Sequence, residues 1–211
     1  MEEKNSSAVS VNQITVGKDL LELLSSGMYL DPLTIFREYV QNSCDSIEEA
    51  VEKGALNSND EGRVSISINP IDRTVTIKDN GTGIGSISFL KTLLSFGNSG
   101  KQETDARGFR GIGRLAGLAY CQELVFHSKT KEEDTVNVLT WDCRKLKSLL
   151  VDPKIKSGLA DIVSQATKSE KFKATSETDK HFFKVEMKKI LRIKNDVLLN
   201  ASLIEQYLSQ V

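Results

Sequence analysis

The spacing of apolar residues changes period several times along the chain. Val16–Ser26 has helical spacing and stops at Gly27. Asp31-Pro32 is a helix-start pair, with Asp at the cap and Pro at the first helical position. It predicts a helix from Pro32 to Lys53, stopped by Gly54. Arg63–Asn69 and Thr74–Asp79 alternate strictly, and each predicts a strand, with "PIDR" as the hairpin turn between them. The glycine-rich turn Gly81–Gly85 leads into a helical stretch, "SISFLKTLLSF". Residues 97–113 are long, polar and glycine-rich. Leu115–Tyr120 reads as helix, followed by strands Glu123–Ser128 and Thr135–Trp141. Helical spacing returns near Gly158–Thr167 and over Leu198–Gln210, with a strand at His181–Ile193. Residues 1–10 read as disordered, and the Lys-rich stretch 144–180 is the least patterned.

Charge and composition narrow the classes. The net charge is −1, so no bulk basic field points to nucleic acid. No run approaches the roughly 18 apolar residues of a membrane span. The polar start "MEEKNSSAVS" is unlike a secretory leader. Cys44, Cys121 and Cys143 have no CxxC spacing, which argues against a zinc site and a disulfide framework. They read as reduced, mostly buried thiols, and the expectation is a cytoplasmic protein without a membrane partner.

The first long helix carries an arrangement of its own. At about 100° per residue, Leu33, Phe36, Val40, Cys44, Ile47 and Val51 fall within roughly 0–80° of one another. Glu38, Asn42, Asp45 and Glu49 gather on the other side, at about 180–240°. Such a face is either solvated surface or a site for a cation or a phosphate-bound metal. Asn supplies a neutral oxygen ligand, and carboxylates supply charge or orient water.

Two glycine turns add to this. "DNGTGIG", Asp79–Gly85, places a carboxylate at a strand end, where a sheet can hold it rigid. Ionised, it accepts hydrogen bonds and can read an exocyclic amino group such as that of adenine. The bland alternative is an ordinary Asp-Asn-Gly turn. "GFRGIG", Gly108–Gly113, precedes a predicted helix, where backbone amides suit an anion. Its bland alternative is a flexible loop closing on a cap. The Walker pattern fails at Gly100-Lys101, because Ser95 and Gln102 stand where Gly and Ser or Thr are needed. The dinucleotide fingerprint fails at Gly81 and Gly83, because Ser86 follows.

Taken in order, E-x-x-x-N-x-x-D, D-x-G-x-G-I and G-x-x-G-x-G are similar to the GHKL ATPase superfamily. That group contains the gyrase B subunit, the ninety-kilodalton heat-shock chaperone, the histidine kinases and the mismatch-repair ATPases. The resemblance covers about residues 14–193 and is strongest to a bacterial relative of the chaperone. It implies an α+β, two-layer sandwich (the Bergerat fold) with a mixed, mostly antiparallel sheet and helices on one face. It implies ATP and Mg²⁺ as ligands. Carried over by motif position, Glu38 activates the attacking water and Asn42 binds the magnesium. Asp79 reads the adenine amino group, Gly81 and Gly83 make room for the base, and Ile84 belongs to the same nucleotide-binding set. Gly108, Gly111 and Gly113 offer amides to the phosphates. Asp45 is a supporting residue at the pocket edge. Residues 97–113 would form a lid, with Ser99, Lys101 and Arg110 as phosphate contacts.

The resemblance also implies an ATP-dependent homodimer of a longer protein, with an unidentified client and chaperone-like ATP hydrolysis that is weak in this piece alone. Residues 1–13 would be an arm, and 194–211 the start of a following domain. The chain departs from the pattern at "DKHFFKV", where relatives often place a Gly-Thr pair whose Thr lies near adenine. His127 and His181 read as structural or surface residues. Competing readings are the ATPase domain of a DNA-processing protein, a histidine kinase domain, or a module that binds ATP without hydrolysing it. Too few residues precede Glu38 for a phospho-acceptor helix pair.

Overall fold

A computed structural model describes residues 5–7, 31–94, 113–151, 158–176 and 178–210. The strands are β1 (Asn5–Ser7), β2 (Val64–Asn69), β3 (Thr74–Asp79), β4 (Glu123–Lys129), β5 (Thr135–Asp142), β6 (Thr167–Lys173) and β7 (Phe182–Lys188). They form one sheet in the order β1-β6-β5-β4-β7-β3-β2. Every pairing among them is antiparallel. The helices are α1 (Thr34–Glu52), α2 (Phe89–Leu94), α3 (Cys143–Val151), α4 (Leu159–Ala166) and α5 (Ala201–Leu208). Three short 3₁₀ segments, Asn59–Glu61, Gly113–Ala119 and Lys194–Leu199, join them.

Register explains why the sheet has a covered and an open face. Val75 and Ile77 pair with Met187 and Val185, which pair in turn with Leu124 and Phe126. Trp141 and Leu139 extend those rows. All eight are buried, and they share one core with Phe36, Leu93, Leu146, Ile162 and Val163 from the helices. Successive residues of a strand point to opposite faces. Lys184, Glu186 and Lys188 therefore lie on the other face, where Glu186 contacts all of Lys184, Lys188 and His127. The result is the expected two-layer α+β sandwich.

Local signals account for most element ends. Gly54, just past α1, has φ +71°, which glycine adopts without Cβ strain. The 70–73 turn carries Asn69 Oδ1, which accepts from the amides of Ile71 and Asp72. The last strand stops at Lys188, short of the expected Ile193, because Lys189 turns to φ +54°. The final helix starts at Ala201, where the Asn200 side chain accepts from the Leu203 amide at 3.1 Å.

Several expectations need correction. The stretch Leu115–Tyr120 is a 3₁₀ segment over Gly113–Ala119 and not an α-helix. Asn5–Ser7, read as disordered, pairs with Ser169–Lys171 of β6 and forms the edge of the sheet. Backbone groups on an open edge pair without needing apolar side chains. In 144–180, α3 and β6 escaped notice because Lys and Ser dilute their apolar spacing. Cys121 and Cys143 are buried, but Cys44 is exposed.

Helix α1 also packs on a different side from the one its apolar spacing predicts. Its buried residues are Ile35, Phe36, Tyr39, Ser43, Ile47 and Ala50, whereas Val40 is half-buried and Cys44 exposed. The cause is polar anchoring. The Gly117 amide donates to the Tyr39 hydroxyl at 3.0 Å, and the Ser43 hydroxyl donates to Asp79. These contacts turn the Tyr39–Ser43 side inward and leave Asn42 exposed beside it.

Among the described residues, no helix is long and apolar enough to cross a membrane.

Candidate nucleotide-binding site

Asp79 is the last residue of β3 and is 3% exposed. Its Oδ2 accepts from the Ser43 hydroxyl of α1 at 3.0 Å, and its Oδ1 from the Gly81 amide at 2.9 Å. Burial pushes its carboxyl up to about 6. The Gly81 amide, the Ser43 hydroxyl, a backbone hydrogen bond from Phe183 and the His181 ring restrain that rise. An ionised carboxylate has room for about four hydrogen bonds, so beside these three donors one acceptor position is left for a ligand.

Asp79 opens onto a cavity of about 520 Å³, within the range of small-molecule sites. Ile77 and Leu93, with Phe183 and Val185 of β7, give it apolar walls. Asn42, Asp45 and Thr82 give it a polar side. A flat heteroaromatic ring with an amino donor suits one end, and a polar or charged group suits the other.

The turn after Asp79 is fixed on both sides. The Thr82 amide donates to the Ser46 carbonyl of α1 at 3.1 Å. The Ile84 amide donates to the Ser128 hydroxyl of β4 at 2.6 Å. His181 Nδ1 lies 2.8 Å from the Gly81 carbonyl; a carbonyl only accepts, so Nδ1 carries the proton there. His181, which the sequence reading left as structural or surface, is thus a buried strap on the turn after Asp79.

The two turn glycines have separate reasons to be glycine. Gly83 has φ +68°, and a Cβ there would overlap the Lys129 carbonyl. Gly83 lines the cavity; Gly81 does not, and a Cβ on it would overlap Ser46 of α1. At Gly81 the missing side chain makes room for the helix and not for a ligand. A third glycine, Gly113, is buried against Glu38, and a Cβ there would overlap Glu38 Oε2.

The structure therefore gathers Asn42, Asp45, Asp79, Gly83 and Ile84 around one cavity. Glu38 lies one helical turn before Asn42, against Gly113, with Arg37 Nη2 3.6 Å from its carboxylate. Asp45 is exposed at the rim, where it accepts from Gln41 Nε2 at 2.8 Å. Ser99, Lys101, Gly108, Arg110 and Gly111 lie outside the described residues. The sequence reading missed Ser43, because a serine in a polar run looks solvated. It also missed Arg114, which follows the third glycine motif directly and lines the cavity.

Residues 33–181 match the family described as histidine kinase-, DNA gyrase B-, and HSP90-like ATPase. The chain belongs to this ATPase family. Among curated relatives it is similar to the chaperone protein HtpG of Paraburkholderia xenovorans, 31% identical over 129 residues. That match covers 53% of this chain and 20% of the relative. It is also similar to HtpG of Vibrio vulnificus, 30% identical over 159 residues, covering 60% of this chain and 25% of the relative. The chain thus spans a fifth to a quarter of the length of these relatives. As in the expectation from its motifs, this family member has an α+β sandwich, and Asn42 and Asp79 line a cavity beside the helix-covered face of the sheet.

Proposed function

We propose that this chain binds ATP in the cavity beside Asp79 and, within a longer chaperone-like protein, hydrolyses it. The observation that carries the reading is Asp79 itself. It is a buried carboxylate, held by three donors, with an acceptor position left over on the wall of a nucleotide-sized cavity. In this reading the adenine amino group donates to Asp79, and Ile77, Phe183 and Val185 flank the base. Gly83 lets the turn approach the ligand closely.

Asn42 would hold Mg²⁺ together with the nucleotide phosphates. The donor chemistry suits that role: Asn42 lines the cavity and offers a neutral side-chain oxygen, a ligand type that a hard cation takes. Magnesium commonly uses one or two protein ligands and takes the rest from phosphate and water. When bound it would neutralise phosphate charge. Glu38, on the same side of α1 as Asn42, orients a water and receives its proton as the water attacks the terminal phosphorus, while the bond from that phosphorus to the bridging oxygen breaks and ADP leaves with the electron pair. Gly113 keeps space open at Glu38. The longer protein would dimerise when ATP is bound.

Calorimetry with ATP, ADP and adenosine tests the binding reading on this chain. Turnover of the longer protein with Glu38→Ala tests the catalytic assignment, and hydrolysis unchanged by that substitution rejects it. Light scattering with a non-hydrolysable analogue tests the dimer, and a strictly monomeric result rejects it.

A further inference from the structure

We propose that Arg114 is a phosphate-contacting residue of this pocket and discriminates ATP from adenosine. The inference rests on the ATP reading above and assigns the phosphate end of that site.

Three observations carry it. The first is charge. Asp45, Glu49, Glu52 and Asp79 line the cavity, and among its described lining residues Arg114 is the sole cation. A polyphosphate entering four carboxylates meets repulsion unless a cation lies within contact. The second is anchorage. Arg114 sits in the 3₁₀ segment between Gly113, packed on Glu38, and Gly117, whose amide donates to Tyr39 at 3.0 Å. Leu115 and Leu118 are fully buried beside it. Its backbone is thus fixed to α1, the helix that carries Asn42. The third is location. Arg114 lines the same cavity as Asn42, and its backbone adjoins Gly113, which packs on Glu38.

The chemistry suits an arginine. Its planar guanidinium offers a fork of donors that matches two phosphate oxygens, and it stays charged even where burial lowers its pKa. A lysine would supply the charge without the fork.

The bland alternative is that Arg114 only balances the pocket carboxylates. The two roles differ in which ligands they affect. A phosphate contact acts on ATP and ADP and leaves adenosine untouched. A carboxylate-balancing role acts through the shape of the pocket and affects all three.

The test is calorimetry of ATP, ADP and adenosine on the 211-residue chain, as wild type, Arg114→Gln and Arg114→Lys. The expected result is a loss of ATP affinity of about ten- to hundredfold in Arg114→Gln. Arg114→Lys should fall between, with adenosine affinity unchanged in both. The ATP affinity of wild type should weaken with added salt, and more steeply than that of Arg114→Gln. Equal losses for ATP and adenosine, or no loss for ATP, overturn the inference while leaving the ATP site standing. A wild type that binds adenosine but gains nothing from phosphates also overturns it. A wild type that binds neither overturns the site itself. If Arg114→Gln does not fold, Arg114→Lys and the salt dependence of wild type decide alone.

Discussion

The Ser43 hydroxyl donates to Asp79 Oδ2 at 3.0 Å, a buried bond that ties the middle of the first helix to the end of a central strand. It sets the rotation of the helix and the direction of the carboxylate together. Ser43→Ala should therefore lower stability by about 1.5–3 kcal/mol at pH 7, the cost of removing a donor from a buried charge. It should weaken adenosine binding as well. Urea unfolding and calorimetry check both effects. Unchanged stability would mean that the bond does not hold the carboxylate.

Asp79 makes stability depend on pH with a definite sign. Its folded pKa of about 6 lies above the unfolded value of about 3.9. Below pH 4 both states are protonated, and burial of the group carries no charge penalty. As pH rises through 6 the folded chain must bury an anion, and stability falls by about 3 kcal/mol over that window. Asp79→Asn removes this dependence. The check is urea unfolding of both proteins at pH 4.5 and 7, with wild type losing stability relative to the variant as pH rises.

Ligand binding should show the opposite trend. The ionised carboxylate is the stronger acceptor for an amino group, so adenosine should bind more tightly as pH rises through 6. Calorimetry across pH 5–8 checks this, with a flat profile in Asp79→Asn.

Gly113→Ala and Gly83→Ala should separate catalysis from binding. A Cβ at 113 displaces Glu38 Oε2, the end of a movable side chain. Turnover of the longer protein should fall while adenosine binding persists. A Cβ at 83 meets the Lys129 backbone at a positive φ, where nothing nearby can yield cheaply. That variant should lose about 1–2 kcal/mol or more of stability and bind nucleotide poorly.

Much of this was legible in the sequence because local rules settle it. Strict alternation and the "PIDR" turn place the β2–β3 hairpin, and Gly54 marks the helix end. The motif residues Asn42, Asp79 and Gly83 converge as the family resemblance implies. The rest depended on tertiary contacts. Nothing in the apolar spacing of α1 shows that Tyr39 and Ser43 face inward, because each is buried by a partner distant in sequence, Gly117 and Asp79. Thr167–Lys173 reads as polar because it is a strand near the sheet edge, and its neighbours and not its own apolar residues make it one.

A further contact at the opposite end of the chain illustrates the same point. The Arg73 guanidinium forks onto both oxygens of Asp196 at 2.7 and 2.9 Å, and its Nε donates to the Ile190 carbonyl. Lys194, Asn195 and Asp196 all have positive φ, so this strap holds a backbone that other residues avoid. Arg73→Ala should lower stability only modestly, the pair being partly exposed. Amide hydrogen exchange should quicken in Ala201–Leu208 while the sheet stays protected.

The most direct measurement is calorimetry of adenosine and ATP with wild type and Asp79→Asn at pH 7.5. The expected result is that wild type binds both, and that Asp79→Asn, still folded, loses about tenfold or more in affinity for both, because an amide donor then faces the adenine amino group. Equal affinity in the two proteins would contradict the claim that this carboxylate reads the base.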